Sequence, residues 1–295
     1  MAAKTLDISV RSEAALHAAF FYFPDGILLK IFLNEIEIEI GADTRLHQLR
    51  EARLPEADLL IVNGFPATAD QPLAAGDRVV MIQRGVPPAA EQLEALMMAR
   101  HTPGVHQRVT QGKVGIAGAG GLGSNVALAL ARIGVGRLVI ADFDLVEPSN
   151  LNRQQYFIDQ IGLPKVEALQ QNLQRINPYV AVETFYGRVT PDNLGRIFAG
   201  VDVMVEAFDA ADQKAMLTAA HLQQAPDCPL VAASGMAGYG SANSIRTERI
   251  RRNLYLVGDQ VSAAAPGSGL MAPRVGIAAS HQANAVLCLL LGEEP

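Results

Sequence analysis

The chain has 295 residues, 49% of them hydrophobic and 18% charged, with a formal net charge of -6. This length favours two domains, and the apolar fraction is large enough for buried cores. The acidic balance argues against sequence-independent binding to nucleic acid. Because only Cys228 and Cys288 are present, a four-cysteine zinc site is excluded and no structural zinc is expected.

The N-terminal residues 1–27 carry no recognisable pattern and are left as an unassigned extension. Residues 14–33 are rich in apolar side chains, but Pro24, Asp25 and Gly26 interrupt them and Lys30 follows. A membrane span needs about 20 uninterrupted apolar residues, and a signal peptide needs a basic start and a small-residue cleavage site. We therefore expect a cytoplasmic protein with no membrane association.

A first domain is predicted over residues 28–85. Residues 29–33 have the composition of a strand, Asn34 and Glu35 form a tight turn, and isoleucines alternate with glutamates over residues 35–40. A helix follows from Leu46, and two further strands are predicted at 59–62 and 78–82. Two strands, a helix and two strands form the order of a β-grasp (ubiquitin-like) domain.

A linker, residues 86–103, contains a predicted helix over 89–100 and precedes a second domain over 104–295. In that domain strands and helices alternate, which predicts an α/β fold with a Rossmann-like, doubly wound and mostly parallel sheet. The predicted strands are 114–117, 138–142, 180–185, 201–206 and 230–233, and the predicted helices are 122–133, 165–176, 191–198, 211–223 and 275–291.

A glycine-rich turn follows the first strand of this domain and opens a helix. Its glycines allow close backbone approach to phosphates, and the helix start offers free N–H groups. Asp142 ends the next strand, where a carboxylate binds ribose hydroxyls. The pattern predicts a nucleotide site without choosing between NAD and ATP, and the alternative is tight helix–sheet packing with no ligand. The glycines are Gly118, Gly120, Gly121 and Gly123.

Two cationic residues, Arg153 and Lys165, follow the second strand. An enzyme that expels pyrophosphate needs cations beside the triphosphate, whereas a hydride-transfer enzyme does not. Taken singly, Arg153 could be a surface ion pair and Lys165 a helix-start residue. Asp209, at the end of a later strand, is a candidate Mg²⁺ ligand or the N-cap of the next helix.

The run 142–154, Asp-Phe-Asp-Leu-Val-Glu-Pro-Ser-Asn-Leu-Asn-Arg-Gln, and the segment 269–276 resemble the ThiF/MoeB/HesA adenylyltransferases, which are related to ubiquitin-activating enzyme. The resemblance covers about residues 104–292. It implies ATP and Mg²⁺, an acyl-adenylate product and a homodimer. It also implies that Asp142 holds the ribose, that Asn150, Arg153 and Lys165 contact the phosphates, and that Asp209 binds the metal, with Asp144 and Gln154 in the same nucleotide-binding set.

The first domain resembles ThiS, the sulfur carrier of thiamine synthesis, in residues 61–66 and 76–80. A working carrier ends in a free Gly-Gly, but here Gly85 is followed by Val86, so we expect a separate ThiS-like carrier with a Gly-Gly C-terminus as substrate. Neither cysteine is placed as a nucleophile, which favours adenylation without a protein thioester. In this family an N-terminal arginine often acts in the partner subunit, and Arg100 and Arg108 are the candidates.

The resemblance implies adenylation of a ThiS-type carrier for thiazole synthesis. Four alternatives stay open at this point: activation of a molybdopterin-pathway carrier, a non-catalytic nucleotide-binding scaffold, an NAD-dependent oxidoreductase, and a dehydratase acting on modified tRNA adenosine. The acidic charge and the carrier-like first domain argue against the last.

Overall fold

The computed structural model describes residues 27–295, so the unassigned extension lies, apart from Ile27, outside the described residues. Within that range the chain divides into two units, residues 27–100 and 101–295. Each unit has its own buried apolar clusters, as expected of separately folding domains. No helix in residues 27–295 combines the length and apolarity that a bilayer crossing requires.

The smaller unit is a five-stranded sheet with one helix. Its elements are β1 (Leu28–Leu33), β2 (Ile36–Gly41), α1 (Leu46–Arg53), β3 (Leu59–Val62), β4 (Phe65–Pro66) and β5 (Arg78–Ile82). The strand order is β2-β1-β5-β3-β4, with β1 and β5 parallel in the middle. Asn34 and Glu35 both have positive φ in the β1–β2 turn, as tight hairpins require. The β-grasp prediction is confirmed, and the two-residue strand β4 is an addition to it.

Two helices follow, α2 (Ala90–His101) and α3 (Pro103–Gln111). The sequence predicts α2 but treats residues 102–104 as a break. In the structure Pro103 instead lies in the first turn of α3. A backbone N–H at the start of a helix has no hydrogen-bond partner within that helix, so its absence in proline costs nothing. Thr102, with φ of 68°, separates the two helices.

The larger unit is built on a seven-stranded sheet. Its elements are β6 (Lys113–Ala117), α4 (Gly121–Arg132), β7 (Arg137–Asp142), α5 (Lys165–Ile176), β8 (Ala181–Tyr186), α6 (Pro191–Ile197), β9 (Val203–Glu206), α7 (Ala211–Gln224), β10 (Leu230–Ala233), β11 (Arg246–Arg251), β12 (Leu254–Gly258) and α8 (Ala272–Leu290). The strand order is β11-β12-β10-β9-β6-β7-β8, and only β11 runs antiparallel to its neighbour.

Helices cover both faces of this sheet. One face packs its apolar residues against α4, α5 and α8, and the other packs against α6 and α7. The chain leaves β6 in one direction through β7 and β8, and in the other through β9, β10 and β12, so the order reverses between β6 and β9. Ligands of such sheets bind beyond the carboxyl ends of the strands at this reversal. The predicted doubly wound, mostly parallel α/β fold is therefore confirmed.

Helix α8 is buried along much of its length. Its sequence is apolar nearly all round, which predicts a buried helix. In the structure only one face is buried, and Ser280 and Asn284 are exposed. The buried face carries two polar residues, Arg274 and Gln282. The positions of the apolar residues therefore do not predict which face of the helix packs against the core.

Candidate functional site

The glycine turn lies at the point where the strand order reverses. Gly118 has φ of +99°, and a Cβ added there would lie 2.6 Å from the carbonyl oxygen of Ala207, just beyond β9. A Cβ at Gly123 would lie 1.8 Å from the carbonyl oxygen of Gly118. A Cβ at Gly120, in contrast, would have only Gln154 within 4 Å among residues 27–295, at 3.9 Å. Two of these glycines therefore allow tight packing of the turn, while Gly120 faces open space at the start of α4, where a helix can receive an anion.

Two buried side chains hold the turn in place. Asp142 accepts a hydrogen bond from the N–H of Ala119 at 2.6 Å, and the hydroxyl of Tyr156 donates to the carbonyl of Ala119 at 2.6 Å. Burial raises the pKa of Tyr156 well above its ordinary value, so the hydroxyl keeps its proton and remains a donor. The sequence predicts a role for Asp142 here but none for Tyr156.

Asp142 connects the turn to the predicted phosphate-binding lysine. Its second oxygen accepts from the N–H of Asp144 at 2.8 Å, and the Asp144 carboxylate accepts from Nζ of Lys165, also at 2.8 Å. Burial raises the pKa of Asp142, while the two backbone hydrogen bonds and Lys165 oppose that shift. Lys165 is almost fully buried and Asp144 is half-exposed, so the buried ammonium is held by a carboxylate that solvent can reach.

The segment after β7 brings Arg153 and Gln154 to the start of α4. Arg153 Cγ lies 3.5 Å from the position that a Cβ on Gly121 would take, and its guanidinium donates to the carbonyl of Ser149 and the side chain of Asn152. Within residues 27–295 Arg153 forms no salt bridge, so the structure does not support its interpretation as a surface ion pair.

Two further predicted residues of this segment are buried. Asn150 accepts from the N–H of Glu147 at 3.0 Å and so shapes the short helical turn that carries the segment. Oε1 of Gln154 is buried with no hydrogen-bond partner in the described part of the chain. A buried acceptor without a partner costs stability unless something occupies the site, and Gln154 Nε2 is the atom nearest the open side of Gly120.

Asp209 lies on the other side of the turn, in a cleft of about 170 Å³. Asp142, Phe143, Arg188 and Asp212 line the same cleft. The N-cap of α7 is Ala210, so the alternative interpretation of Asp209 as a helix cap is wrong. Asp209 is exposed, and no group of three or more potential metal-ligating His, Cys, Asp or Glu side chains occurs among residues 27–295. One exposed carboxylate suits Mg²⁺, which usually keeps waters and phosphate oxygens as its other ligands.

The cleft also contains a pair of residues that the sequence analysis misses. The guanidinium of Arg188 lies 3.9 Å from the centre of the Phe143 ring, a cation–π arrangement. Phe143 directly follows Asp142, and Arg188 follows β8, so only pairing of β7 with β8 brings them together. The stacked pair offers a flat, partly apolar surface beside the predicted ribose-binding carboxylate.

The end of β9 is held by a buried ion pair. Glu206 is 1% exposed and accepts from Nζ of Lys214 and from the N–H of Phe208. Lys214 also donates to the carbonyl of Ala233, at the end of β10. Burial raises the pKa of Glu206, and Lys214 opposes the shift. This contact fixes the strand end that leads to Asp209, and it has no counterpart in the sequence analysis.

We expect Lys214→Met to destabilise the protein by about 3–5 kcal/mol at neutral pH, because it leaves a buried carboxylate uncompensated. Removing the ammonium raises the folded-state pKa of Glu206 further above its unfolded value. A raised carboxylate pKa favours the folded state at low pH, and this contribution is lost as pH rises through the folded-state value. Thermal unfolding between pH 5 and 8 should therefore show the variant approaching wild type at the acidic end. Lys113→Met, on an exposed lysine, is the matched control, and an equal deficit at every pH would contradict the assignment.

Arg108, one of the two candidates for a role in the partner subunit, donates to the carbonyl of Leu291 at 2.7 Å. That carbonyl lies at the C-terminal end of α8, whose 19 residues extend about 28 Å from its start. The start of α8 contacts Gly121 through Val275, so Arg108 lies far from its own chain's glycine turn. Arg100 is exposed at the end of the smaller unit.

The site defines a nucleotide-binding protein of the Rossmann-like class. Its glycine turn lies where the strand order reverses, and Asp142, Lys165 and Arg153 surround it. Comparison with family models gives the particular family. Residues 93–295 match the model described as the ThiF family, and residues 29–85 match that of the ThiS-like ubiquitin family. The chain belongs to the ThiF family and carries a ThiS-like domain before it.

Similar proteins agree with this assignment. Over 193 residues the chain is 33% identical to the sulfur carrier protein ThiS adenylyltransferase of Escherichia coli, covering 64% of this chain and 76% of that protein. It is 43% identical over 103 residues to the SAMP-activating enzyme E1 of Haloferax volcanii, covering 35% of this chain but only 38% of that protein. The fold is also that of the E. coli tRNA N6-threonylcarbamoyladenosine dehydratase in complex with ATP, with a TM-score of 0.63, 22% identity and coverage of 70% of this chain and 98% of the other.

Proposed function

We propose that this protein adenylates the C-terminal glycine carboxylate of a separate ThiS-type sulfur carrier, using ATP and Mg²⁺, for thiazole synthesis in thiamine biosynthesis. The observation that supports the proposal most directly is the position of Lys165 and Arg153 around an open glycine turn. The fused ThiS-like domain favours thiamine over molybdopterin, and the similarity to a ThiS adenylyltransferase supports a sulfur carrier as the substrate. The resemblance to the family also supports a homodimer in the cytoplasm.

The reaction we propose is attack by the carrier carboxylate on the α-phosphorus of ATP with departure of pyrophosphate. A carboxylate is already ionised at neutral pH, so no general base is required. The site must then position the two reactants and stabilise the negative charge that grows on the leaving group. Gly120 at the start of α4 gives the phosphates room and backbone donors, and Lys165 and Arg153 supply positive charge. Mg²⁺ held by Asp209 would add further charge neutralisation on the phosphates.

The nucleoside fits the other end of the same site. Asp142 lies between the turn and the cleft, and each of its oxygens has one backbone hydrogen bond, which leaves lone pairs for ribose hydroxyls. Beyond it the Phe143–Arg188 pair provides a surface for a purine. The dehydratase of the same fold was solved in complex with ATP, which supports ATP as the nucleotide.

The proposal is tested by ATP–pyrophosphate exchange with and without a carrier protein ending in Gly-Gly. We expect exchange that depends on the carrier and disappears when its terminal carboxylate is amidated. ATP binding without exchange for any carrier would favour a nucleotide-binding scaffold, and nicotinamide binding without ATP binding would favour an oxidoreductase. Either result would contradict the proposal.

Asp209→Asn tests the metal assignment. Because the substitution removes a negative charge but keeps the size of the side chain, we expect the Mg²⁺ concentration for half-maximal exchange to rise by about tenfold or more. Asp212→Asn is the matched control, since Asp212 is exposed and lines the same cleft. Equal Mg²⁺ dependence in both variants would show that Asp209 is not the metal ligand.

A further inference from the structure

A buried arginine lies in the first turn of helix α8 and has no role in the site described above. Arg274 is 4% exposed. Its guanidinium donates to the carbonyl of Ser241 at 2.7 Å, to the hydroxyl of Ser244 at 3.0 Å and to the carboxylate of Asp259 at 2.5 Å. A guanidinium can bridge three acceptors in this way because its donors form a rigid planar fork. Arg274 thus joins the segment after β10, the segment after β12 and the start of α8.

Asp259 is fully engaged in the same network. Besides Arg274 it receives hydrogen bonds from the N–H groups of Val261 and Ser262 and from the Ser262 hydroxyl. Burial alone would raise the pKa of Asp259, but these hydrogen bonds together outweigh it and hold the pKa well below its ordinary value. The carboxylate therefore stays ionised throughout the neutral range. A Cβ at Gly235 would lie 2.2 Å from Oδ1 of Asp259, so the segment after β10 packs directly on this carboxylate.

The network borders the nucleotide site through the start of α8 and the segment before it. Val275, next to Arg274, contacts Gly121 at the start of α4, and the Asn152 side chain donates to the carbonyl of Leu270. The strands β10 and β12 lie on the opposite side of β6 from β7 and β8. The cleft is lined by Asp142, Phe143 and Arg188 after β7 and β8 and by Asp209 and Asp212 after β9, so it spans the carboxyl end of β6. If the nucleoside occupies this cleft, the side of the glycine turn that faces β10, β12 and α8 is left for the second reactant, and there Arg274 and Asp259 hold the segments.

We propose that Arg274 and Asp259 are positioning residues for the acceptor: they hold the segments after β10 and β12 as a preformed wall along which the carrier's C-terminus reaches the α-phosphate. The inference rests on the proposed function and adds the residues that control use of the second substrate. Neither side chain has to touch the carrier, because their effect passes through the backbone segments that they join.

The test compares Arg274→Lys with Arg246→Lys, the same substitution on an exposed arginine. Lysine keeps the positive charge beside Asp259 but cannot bridge all three acceptors. We expect the ATP dissociation constant to change less than twofold, and kcat/KM for the carrier to fall by about 10- to 100-fold, since small misplacements of a reactant have effects of this size. The control should match wild type in both measurements. The double variant Asp259→Asn with Arg274→Gln removes both charges together and should show the same selective loss.

Amide hydrogen exchange supplies a readout that does not depend on activity. In Arg274→Lys we expect faster exchange confined to residues 235–244 and 259–271, with the glycine turn unchanged. Equal loss of ATP and carrier recognition, or wild-type kinetics with unchanged exchange in these segments, would overturn the inference. If wild type itself shows no carrier-dependent activity, the proposed function fails, and unchanged amide exchange would separately disprove the positioning role.

Discussion

Lys165→Ala is expected to lower the rate of ATP–pyrophosphate exchange by about 100- to 1000-fold, the effect of removing one preorganised group that stabilises transition-state charge. The ammonium is almost fully buried and held by a single half-exposed carboxylate, Asp144. A low-dielectric position strengthens its attraction for phosphate oxygens. Exchange should be measured at saturating ATP and carrier, so that a loss of kcat is separated from a loss of affinity.

The same variant should remain folded. Removing the lysine leaves behind only Asp144, which is half-exposed to solvent, so no buried charge is left uncompensated. Lys113→Ala is the matched control, because Lys113 is an exposed lysine at the amino end of β6. The site lies beyond the opposite, carboxyl end of that strand. Normal exchange in Lys165→Ala, or an equal loss in Lys113→Ala, would exclude Lys165 as a phosphate-binding group.

The alternating α/β order could be predicted because buried parallel strands are continuous apolar runs, as in residues 203–205 of β9 and Leu230–Ala233, which are fully buried. Strand β11 could not, because its sequence is Arg-Thr-Glu-Arg-Ile-Arg and most of it is exposed at the sheet edge. Edge strands commonly carry charged residues. In β11 these residues replace the apolar or alternating pattern by which a strand is predicted from sequence. Its partner β12 is missed with it, although it lies inside the sheet.

The candidate site was predictable where its residues occur together along the chain. Residues 142–154 and the glycine turn carry their signal in local order, and the structure brings them to one edge of the sheet. Phe143–Arg188, Glu206–Lys214 and Asp259–Arg274 are pairs between separate segments. Each member taken singly is an ordinary residue, and only strand order and burial show that the two meet.

The glycine turn offers a second test with a large effect, because two of its glycines differ in the space around them. We expect Gly123→Ala to lower the free energy of unfolding of the larger unit by about 3 kcal/mol, the upper end of the usual range for overpacking. Its Cβ would lie 1.8 Å from the backbone oxygen of Gly118, and a backbone atom in the turn cannot rotate away as a side chain can. The expected observation is a lower unfolding temperature together with loss of ATP binding.

Gly120→Ala should act differently. The added methyl group has open space in the absence of nucleotide, and the backbone there has φ of -77° and ψ of -149°, so the positive-φ conformation that disfavours alanine is not involved. Stability should therefore remain within about 0.5 kcal/mol of wild type, while ATP affinity falls by about tenfold or more, because the methyl group occupies the position where glycine lets the backbone approach phosphates. Thermal unfolding and calorimetric titration with ATP measure the two quantities separately. A folded Gly120→Ala protein with unchanged ATP affinity would show that the triphosphate does not lie on this turn, and the roles proposed for Lys165 and Arg153 would lose their structural basis.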